Sequence, residues 1–259
     1  MFSKSNHKFL IGMIHLPPLA GYPNHQGLEA TIAHAIRELK TLEEAGFDAV
    51  LIENDTDQPH RITVTKAVRD SAQKVLEAVL AEAKIPVGIE VLYDMKATLE
   101  IAIAAGADFV RFDVFNDDTV TKWGLVKAEA GELVALRNAH GDTMPLIFAD
   151  VHVKHATLAQ PKDLDDSVEQ SAEKGADGLI ITGNWTGKKP KVDDLKLAKS
   201  TTDKPVIIGS GLNNENIHEL LPLVDGAIVG TSIKTDGFVD PQKAKQLVLS
   251  SQHLSKKVK

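Results

Sequence analysis

The stretch AGADFVRFD (105–113) has three counterparts in the chain. A small turn built on Gly or Asp leads into a short apolar run in AGFDAVLIE (45–53), KGADGLIIT (174–182) and VDGAIVGTS (224–232). A second signal alternates with it, a proline opening an apolar run: IPVGIEVL (85–92), MPLIFADV (144–151) and KPVIIGSG (204–211). Proline at the first residue of a strand gives up no ladder hydrogen bond. With FLIGMIH (9–15), these runs make eight candidate strands, near 9–15, 47–53, 86–92, 108–113, 145–151, 177–182, 205–209 and 226–230. Such near-continuous apolar runs suit parallel strands buried on both faces.

The gaps between the runs have helical spacing. Leu28, Ile32, Ile36, Leu39 and Leu42 recur every three to four residues, and Gly46 stops the pattern. Ile62, Val64, Val68, Val75, Leu76 and Val79 suggest a second helix starting at Ile62, and Leu99, Ile101 and Ile103 a short third ending at Gly106. Further helices are expected near 129–139, 163–174, 191–200, 213–221 and 241–250, the seventh capped by Asn213 or Asn214. Pro86, Pro145 and Pro205 are 59 and 60 residues apart, and Asp48 and Asp108 are 60 apart. A βαβα quarter recurring four times gives a (β/α)8 TIM barrel, whose usual size is about 250 residues. The chain of 259 residues therefore reads as one barrel domain over 1–259, with an open doubly wound sheet as the alternative.

Composition narrows the function. The net charge of -7 argues against a nucleic-acid partner. The absence of cysteine removes disulfides, thiolate metal sites and cysteine nucleophiles. The apolar run at the start is broken by Pro17-Pro18 and is too short for a signal segment. No stretch approaches the roughly 20 apolar residues of a membrane helix. The expectation is a soluble cytoplasmic protein, a homo-oligomer, with no membrane partner.

In such barrels the active site lies at the C-terminal ends of the strands. Those ends are His15; Glu53 and Asn54; Glu90; Arg111 and Asp113; Asp150, His152, Lys154 and His155; Thr182, Gly183 and Asn184; Ser210 and Gly211; and Thr231 and Ser232. Any one of these could be a solvated end or a helix cap. As a set of buried charges they must pair or meet a ligand. Arg111 and Asp113 share a parity, as do Asp150, His152 and Lys154 while strand geometry lasts; parity alone does not say whether they face the barrel or the helices.

Asp150 with His152 is the expected acid–base pair, with Glu53 and Glu90 as other bases, and Arg111 holding a second anion or a carbonyl oxygen. Lys154 is either a Schiff-base lysine or a charge partner of Asp150. Gly209, Ser210 and Gly211, with Gly230, Thr231 and Ser232, form small Gly-rich ends to strands seven and eight, where barrels commonly hold phosphate. Tight turns that bind nothing are the alternative, and Lys234 is either an added charge or a solvated side chain. His15, Glu53, Asp150 and His152 are legitimate ligands for a divalent metal, although no local spacing such as HExxH marks them. No nicotinamide, flavin or pyridoxal phosphate motif is present. His34, His60, His140, His218 and His253 look incidental, and Trp123-Gly124 suits either a lid or packing.

GMIHLPPLAGYP (12–23), VLIEND (50–55), FADVHVKHA (148–156) and GSGLNNENI (209–217) with VDGAIVGTSIKTDG (224–237) resemble the BtpA/SgcQ family over nearly the whole chain. The resemblance implies a TIM barrel of the ribulose-phosphate-binding type, related to phosphosugar and tryptophan- or thiamine-pathway enzymes. Within the matching motifs stand His15, Pro17, Pro18, Glu53, Asn54, Asp150, His152, Lys154 and His155. The family takes its name from a photosystem I biogenesis factor, and other members come from carbohydrate-utilisation gene clusters. Two functions follow. One is an enzyme acting on a small phosphorylated sugar or nucleoside-like metabolite, as isomerase, epimerase, lyase or glycosidic hydrolase. The other is a non-catalytic assembly or stability factor that uses the barrel to bind a partner. Clustered ionisable groups at one end of the barrel favour the enzyme.

Overall fold

The computed structural model describes residues 2, 7–141, 145–153, 155–183 and 188–256. Eight parallel strands close into a barrel: β1 (Phe9–His15), β2 (Ala49–Glu53), β3 (Val87–Glu90), β4 (Phe109–Phe112), β5 (Leu146–Val151), β6 (Gly178–Ile181), β7 (Val206–Ile208) and β8 (Gly226–Val229). Helices α1 (Leu28–Ala45), α2 (Lys66–Glu82), α3 (Met95–Ala105), α4 (Ala130–Asn138), α5 (Leu164–Glu173), α6 (Val192–Thr201), α7 (Ile217–Leu220) and α8 (Pro241–Lys256) follow them in turn. The strands pair in chain order, and β8 returns to β1 with Phe9 opposite Gly226. Closure makes this the (β/α)8 barrel and rules out the open sheet.

The recurring aspartate has a structural task. Asp48 accepts the N–H of Leu10 at 2.8 Å, Asp108 that of Val87 at 2.9 Å, Asp177 that of Ile147 at 2.9 Å and Asp225 that of Val206 at 2.8 Å. In every quarter, the carboxylate just before the even strand holds the opening amide of the odd strand beside it. An amide left unpaired there would cost about 1–3 kcal/mol. Three of the four carboxylates also meet a cationic or ionisable side chain: His7 at 2.6 Å, Arg137 at 2.6 Å and Lys199 at 2.5 Å.

Inside the barrel, three phenylalanines face three glycines in register. Phe9 pairs with Gly226, Phe109 with Gly88 and Phe148 with Gly178. A Cβ on Gly88 would stand 2.2 Å from the Phe109 ring, and one on Gly226 2.3 Å from Phe9. Phe2 packs edge-on against all three rings, with centroids 4.9 to 5.5 Å away. Ile11, Met13, Leu51, Ile180, Ile207 and Ile228 complete this interior cluster. The alternate residues of the strands, such as Val50, Val110 and Ile147, join the larger cluster under the helices.

Three local features differ from the sequence reading. Helix α2 begins at Lys66 rather than Ile62, because the Thr65 hydroxyl accepts the Val68 N–H and caps it. Ile62 and Val64 belong to the loop, where Asp94 takes the Val64 N–H at 2.9 Å. Helix α7 begins at Ile217, because Asn213 spends its carbonyl on the N–H groups of Glu215 and Asn216 in a preceding turn. The long excursions after β4 and β5 are not plain loops: Thr119–Thr121, Gly124–Val126 and Ala156–Leu158 pair as a small antiparallel sheet.

Gly88→Ala should destabilise the protein by about 1–3 kcal/mol or more, since the added methyl meets a packed ring. Gly131→Ala in α4, where nothing lies within 4 Å of the new methyl, should stabilise it by up to about 1 kcal/mol. Urea unfolding of the two variants beside the wild type checks both signs.

Candidate active site

The interior parity that stacks the phenylalanines continues upward into charge. Beyond Leu51 on β2 comes Glu53, beyond Gly88 on β3 comes Glu90, beyond Phe109 on β4 come Arg111 and Asp113, and beyond Phe148 on β5 comes Asp150. Alternate positions of a strand share a face, so an apolar floor and an ionic upper layer are two levels of one surface. Arg111 is the hub. Its Nε meets Asp150 Oδ2 at 2.7 Å and its Nη2 meets Oδ1 at 3.1 Å, a two-pronged pair. Its Nη1 lies 3.3 Å from Glu90 and 3.6 Å from Glu53. Asp113 accepts the Tyr93 N–H at 3.0 Å.

Three buried carboxylates, those of Glu53, Glu90 and Asp150, thus share one buried guanidinium. Burial works against the charge of Arg111, but Asp150, Glu90 and Glu53 overcome it and hold its pKa well above the ordinary value. Glu90 is 1 % exposed, and among the described residues neither of its oxygens has a hydrogen-bond donor. Burial pushes its pKa well above the usual carboxylate range; Arg111 opposes this, while Asp113, Glu53 and Asp150 add to it. Glu90 is therefore the group of this layer that keeps a proton most readily.

A cavity of about 240 Å³ adjoins this layer. Its lining includes Glu53, Arg111 and His15 together with the ends of β7 and β8 (Gly209, Ser210, Gly211, Gly230, Thr231 and Ser232). Gly211 has φ of +79°, and a Cβ there would strike the backbone of Lys188 and Lys189 at 2.4 to 2.5 Å. The connection after β6 therefore lies directly on the end of β7. Ser232 donates to the Leu212 carbonyl at 2.7 Å, tying the two small ends together. Thr182, at the top of β6, has a buried hydroxyl with no hydrogen-bond partner.

Other expected residues stand elsewhere. His152 would continue the parity of Asp150, but β5 ends at Val151 and His152 takes φ of +54°. Its Nε2 lies 3.1 Å from the Ser167 hydroxyl on α5, and burial lowers its pKa. The hydrogen bonds given above for Asp150 go to Arg111, so these contacts do not form the expected carboxylate–imidazole pair. Asn54 donates to Asp57 and accepts the Leu92 N–H, both at 2.9 Å, which knits two loops together. His155 is exposed, with φ of +60°, at the entry to the small sheet. Lys154 and Asn184 lie outside the described residues. The expected metal set His15, Glu53, Asp150 and His152 is not assembled; among the described residues, Glu90, Asp113 and Asp150 bring carboxylate oxygens within 4.8 Å of one another.

Sequence reasoning passed over His60, whose ring stands edge-on to Tyr93 at 5.7 Å and to Trp123 at 5.8 Å. Burial lowers the His60 pKa, while Asp55, Asp113 and Glu53 raise it, which places the ring beside the ionic layer. A histidine in an irregular loop carries no periodic signal that could have revealed this. Lys234, left open between an added charge and a solvated side chain, is buried, with its amine 3.7 Å from Glu38.

The sequence matches the BtpA family over residues 6–253. The chain belongs to the BtpA family. An uncharacterized protein of Methanocaldococcus jannaschii is 40% identical over 96% of this chain and 95% of its own. The photosystem I biogenesis protein BtpA of Synechocystis is 35% identical over 90% of this chain and 83% of its own. The sgc region protein SgcQ of Escherichia coli is 26% identical over 95% of each. Among solved structures, (S)-3-O-geranylgeranylglyceryl phosphate synthase from Thermoplasma acidophilum superposes with a TM-score of 0.61 at 16% identity, covering 96% of this chain and 94% of its own. Thiamine phosphate pyrophosphorylase from Pyrococcus furiosus gives 0.61 at 12%, covering 96% and 97%. These likenesses show the shared barrel. No helix among the described residues of this BtpA-family chain is long and apolar enough to cross a membrane.

Because folding raises the Glu90 pKa, the native state holds a proton that the unfolded chain has already released, and stability falls as pH rises through that window. The loss begins near the ordinary glutamate pKa and continues upward, at no more than about 1.4 kcal/mol per pH unit for one group. In chelator-treated buffer, Glu90→Gln should remove this component and gain on the wild type between pH 5 and pH 8. Urea midpoints measured across that range check it.

Proposed function

We propose that this BtpA-family protein is an enzyme acting on a small phosphorylated sugar or nucleoside-like metabolite by acid–base chemistry. One observation carries the reading: a single cavity is lined both by the small ends of β7 and β8 and by Glu53 and Arg111. Backbone amides in small-residue turns receive an anion without steric hindrance. A phosphate seated there places the next few carbons of its ligand toward the charged wall, and binding energy spent at the phosphate orients the reacting end. Glu53 is the carboxylate on the cavity wall and takes the part of proton acceptor or donor. Arg111, fixed by Asp150, holds a carbonyl or hydroxyl oxygen as charge develops on it. The class is isomerisation, epimerisation, or cleavage of a carbon–carbon or glycosidic bond.

The structural neighbours lend support, since their names include a phosphate synthase in complex with sn-glycerol-1-phosphate and an N-(5'-phosphoribosyl)anthranilate isomerase. A partner-binding scaffold, which the name of the Synechocystis relative would suggest, requires none of the buried charges around Arg111. Several kcal/mol of desolvation per ion is a large cost for a feature with no task.

A thermal-shift screen against phosphorylated sugars, nucleotides and inorganic phosphate tests the reading. A ligand at 100 times its Kd should raise the melting temperature by roughly 5–10 °C. Ser210→Asp, which sets a carboxylate at the phosphate end, should abolish that shift. Glu53→Gln should keep it while turnover of the identified ligand falls at least about 100-fold. If no phosphorylated compound shifts the wild type at millimolar concentration, the proposal fails.

A further inference from the structure

We propose that Glu90, Asp113 and Asp150, at the C-terminal ends of β3, β4 and β5, form a binding site for one divalent, oxygen-preferring cation of the Mg²⁺ or Mn²⁺ type. One oxygen from each carboxylate lies within 4.8 Å of the others. Two ligands at the roughly 2.0–2.1 Å typical of Mg²⁺ span at most about 4.2 Å, so carboxylate oxygens already within 4.8 Å of one another can share one ion after a small side-chain adjustment. All three are buried, on adjacent barrel strands rather than on a mobile surface. The donor set is all oxygen, which selects hard cations over zinc or copper.

An acidic cluster alone would not carry this. The second observation is the state of Glu90. Its side chain is 1 % exposed, and both of its oxygens lack a hydrogen-bond donor. The nearest cationic group, Arg111 Nη1, lies at 3.3 Å and also faces Glu53, while the other two nitrogens of the guanidinium are engaged by Asp150. Buried carboxylates are ordinarily satisfied. Arg111 is divided among Glu53, Glu90 and Asp150, and a divalent ion would give the Glu90 oxygens the close partner that no hydrogen-bond donor among the described residues supplies. Asp113 is oriented for the task by the Tyr93 N–H on one oxygen.

This inference does not rest on the phosphosugar reading, since the ion can be sought with no substrate present. The full-length protein is stripped with EDTA, freed of chelator and titrated with Mn²⁺, with free Mn²⁺ followed by electron paramagnetic resonance. One ion per chain should bind with a Kd below about 100 µM, Mg²⁺ should compete, and the melting temperature should rise with either metal. Glu90→Gln and Asp113→Asn should each weaken binding at least 30-fold while still unfolding cooperatively in EDTA. Should either variant fail to fold, anomalous diffraction from wild-type crystals grown with Mn²⁺ decides the matter: a peak among the three carboxylates supports the site. Absence of binding at 1 mM, binding that survives both substitutions, or a peak elsewhere overturns it, leaving an adventitious ion only or a lone proton on Glu90.

Discussion

Four carboxylate-to-amide hydrogen bonds, from Asp48, Asp108, Asp177 and Asp225, fix where each odd strand begins relative to the even strand after it. A slip of one residue in any pair would send its inward side chains outward. Within two of those pairs, Phe109 and Phe148 fall opposite Gly88 and Gly178, which leave room for them. Two residues further along the same faces stand Glu90, Arg111 and Asp150, with the guanidinium reaching both carboxylates.

The two interior levels follow opposite physical rules. The lower one is a ring of aromatic and aliphatic groups whose burial supplies stability, with Phe2 packed edge-on against its three phenylalanines. The upper one brings Glu53, Glu90 and Asp150 around a single guanidinium, with Glu90 lacking a hydrogen-bond donor among the described residues. A stack of leucines and valines at those positions would give a more stable barrel. Concentrating uncompensated charge where a cavity opens is the pattern expected of a site that is complete only with something bound.

Much of this was legible in the amino-acid sequence, for identifiable reasons. A repeated quarter writes its turns and strand starts four times, so the barrel survives the ambiguity of any single run. The polar strand ends were equally plain, because an ionisable residue closing an apolar run is conspicuous. What could not be read was direction. Arg111 and Asp150 share parity with the buried Phe109 and Phe148, but only the register Phe109–Gly88 shows that this parity faces inward. His152 obeys the same parity on paper and breaks it in space, because one positive φ rotates it onto α5. Asn54 stands in a matching motif yet is occupied by backbone and by Asp57. His60 and Tyr93 reach the site from irregular loops, whose paths are settled by tertiary contacts rather than by local pattern.

The same aspartates bear on how the chain assembles. Each joins residues within one quarter, 19 to 38 positions apart, so a strand pair can be secured without waiting for the remainder of the barrel. The seam between β8 and β1 is different: Lys8 bonds the Val224 carbonyl across 216 positions. Loop-closure entropy makes such a contact the dearest in the molecule and places it late in folding. Until that seam zips, the inner faces of the first and last strands are open edges, and this junction is where a second chain could intrude at high concentration.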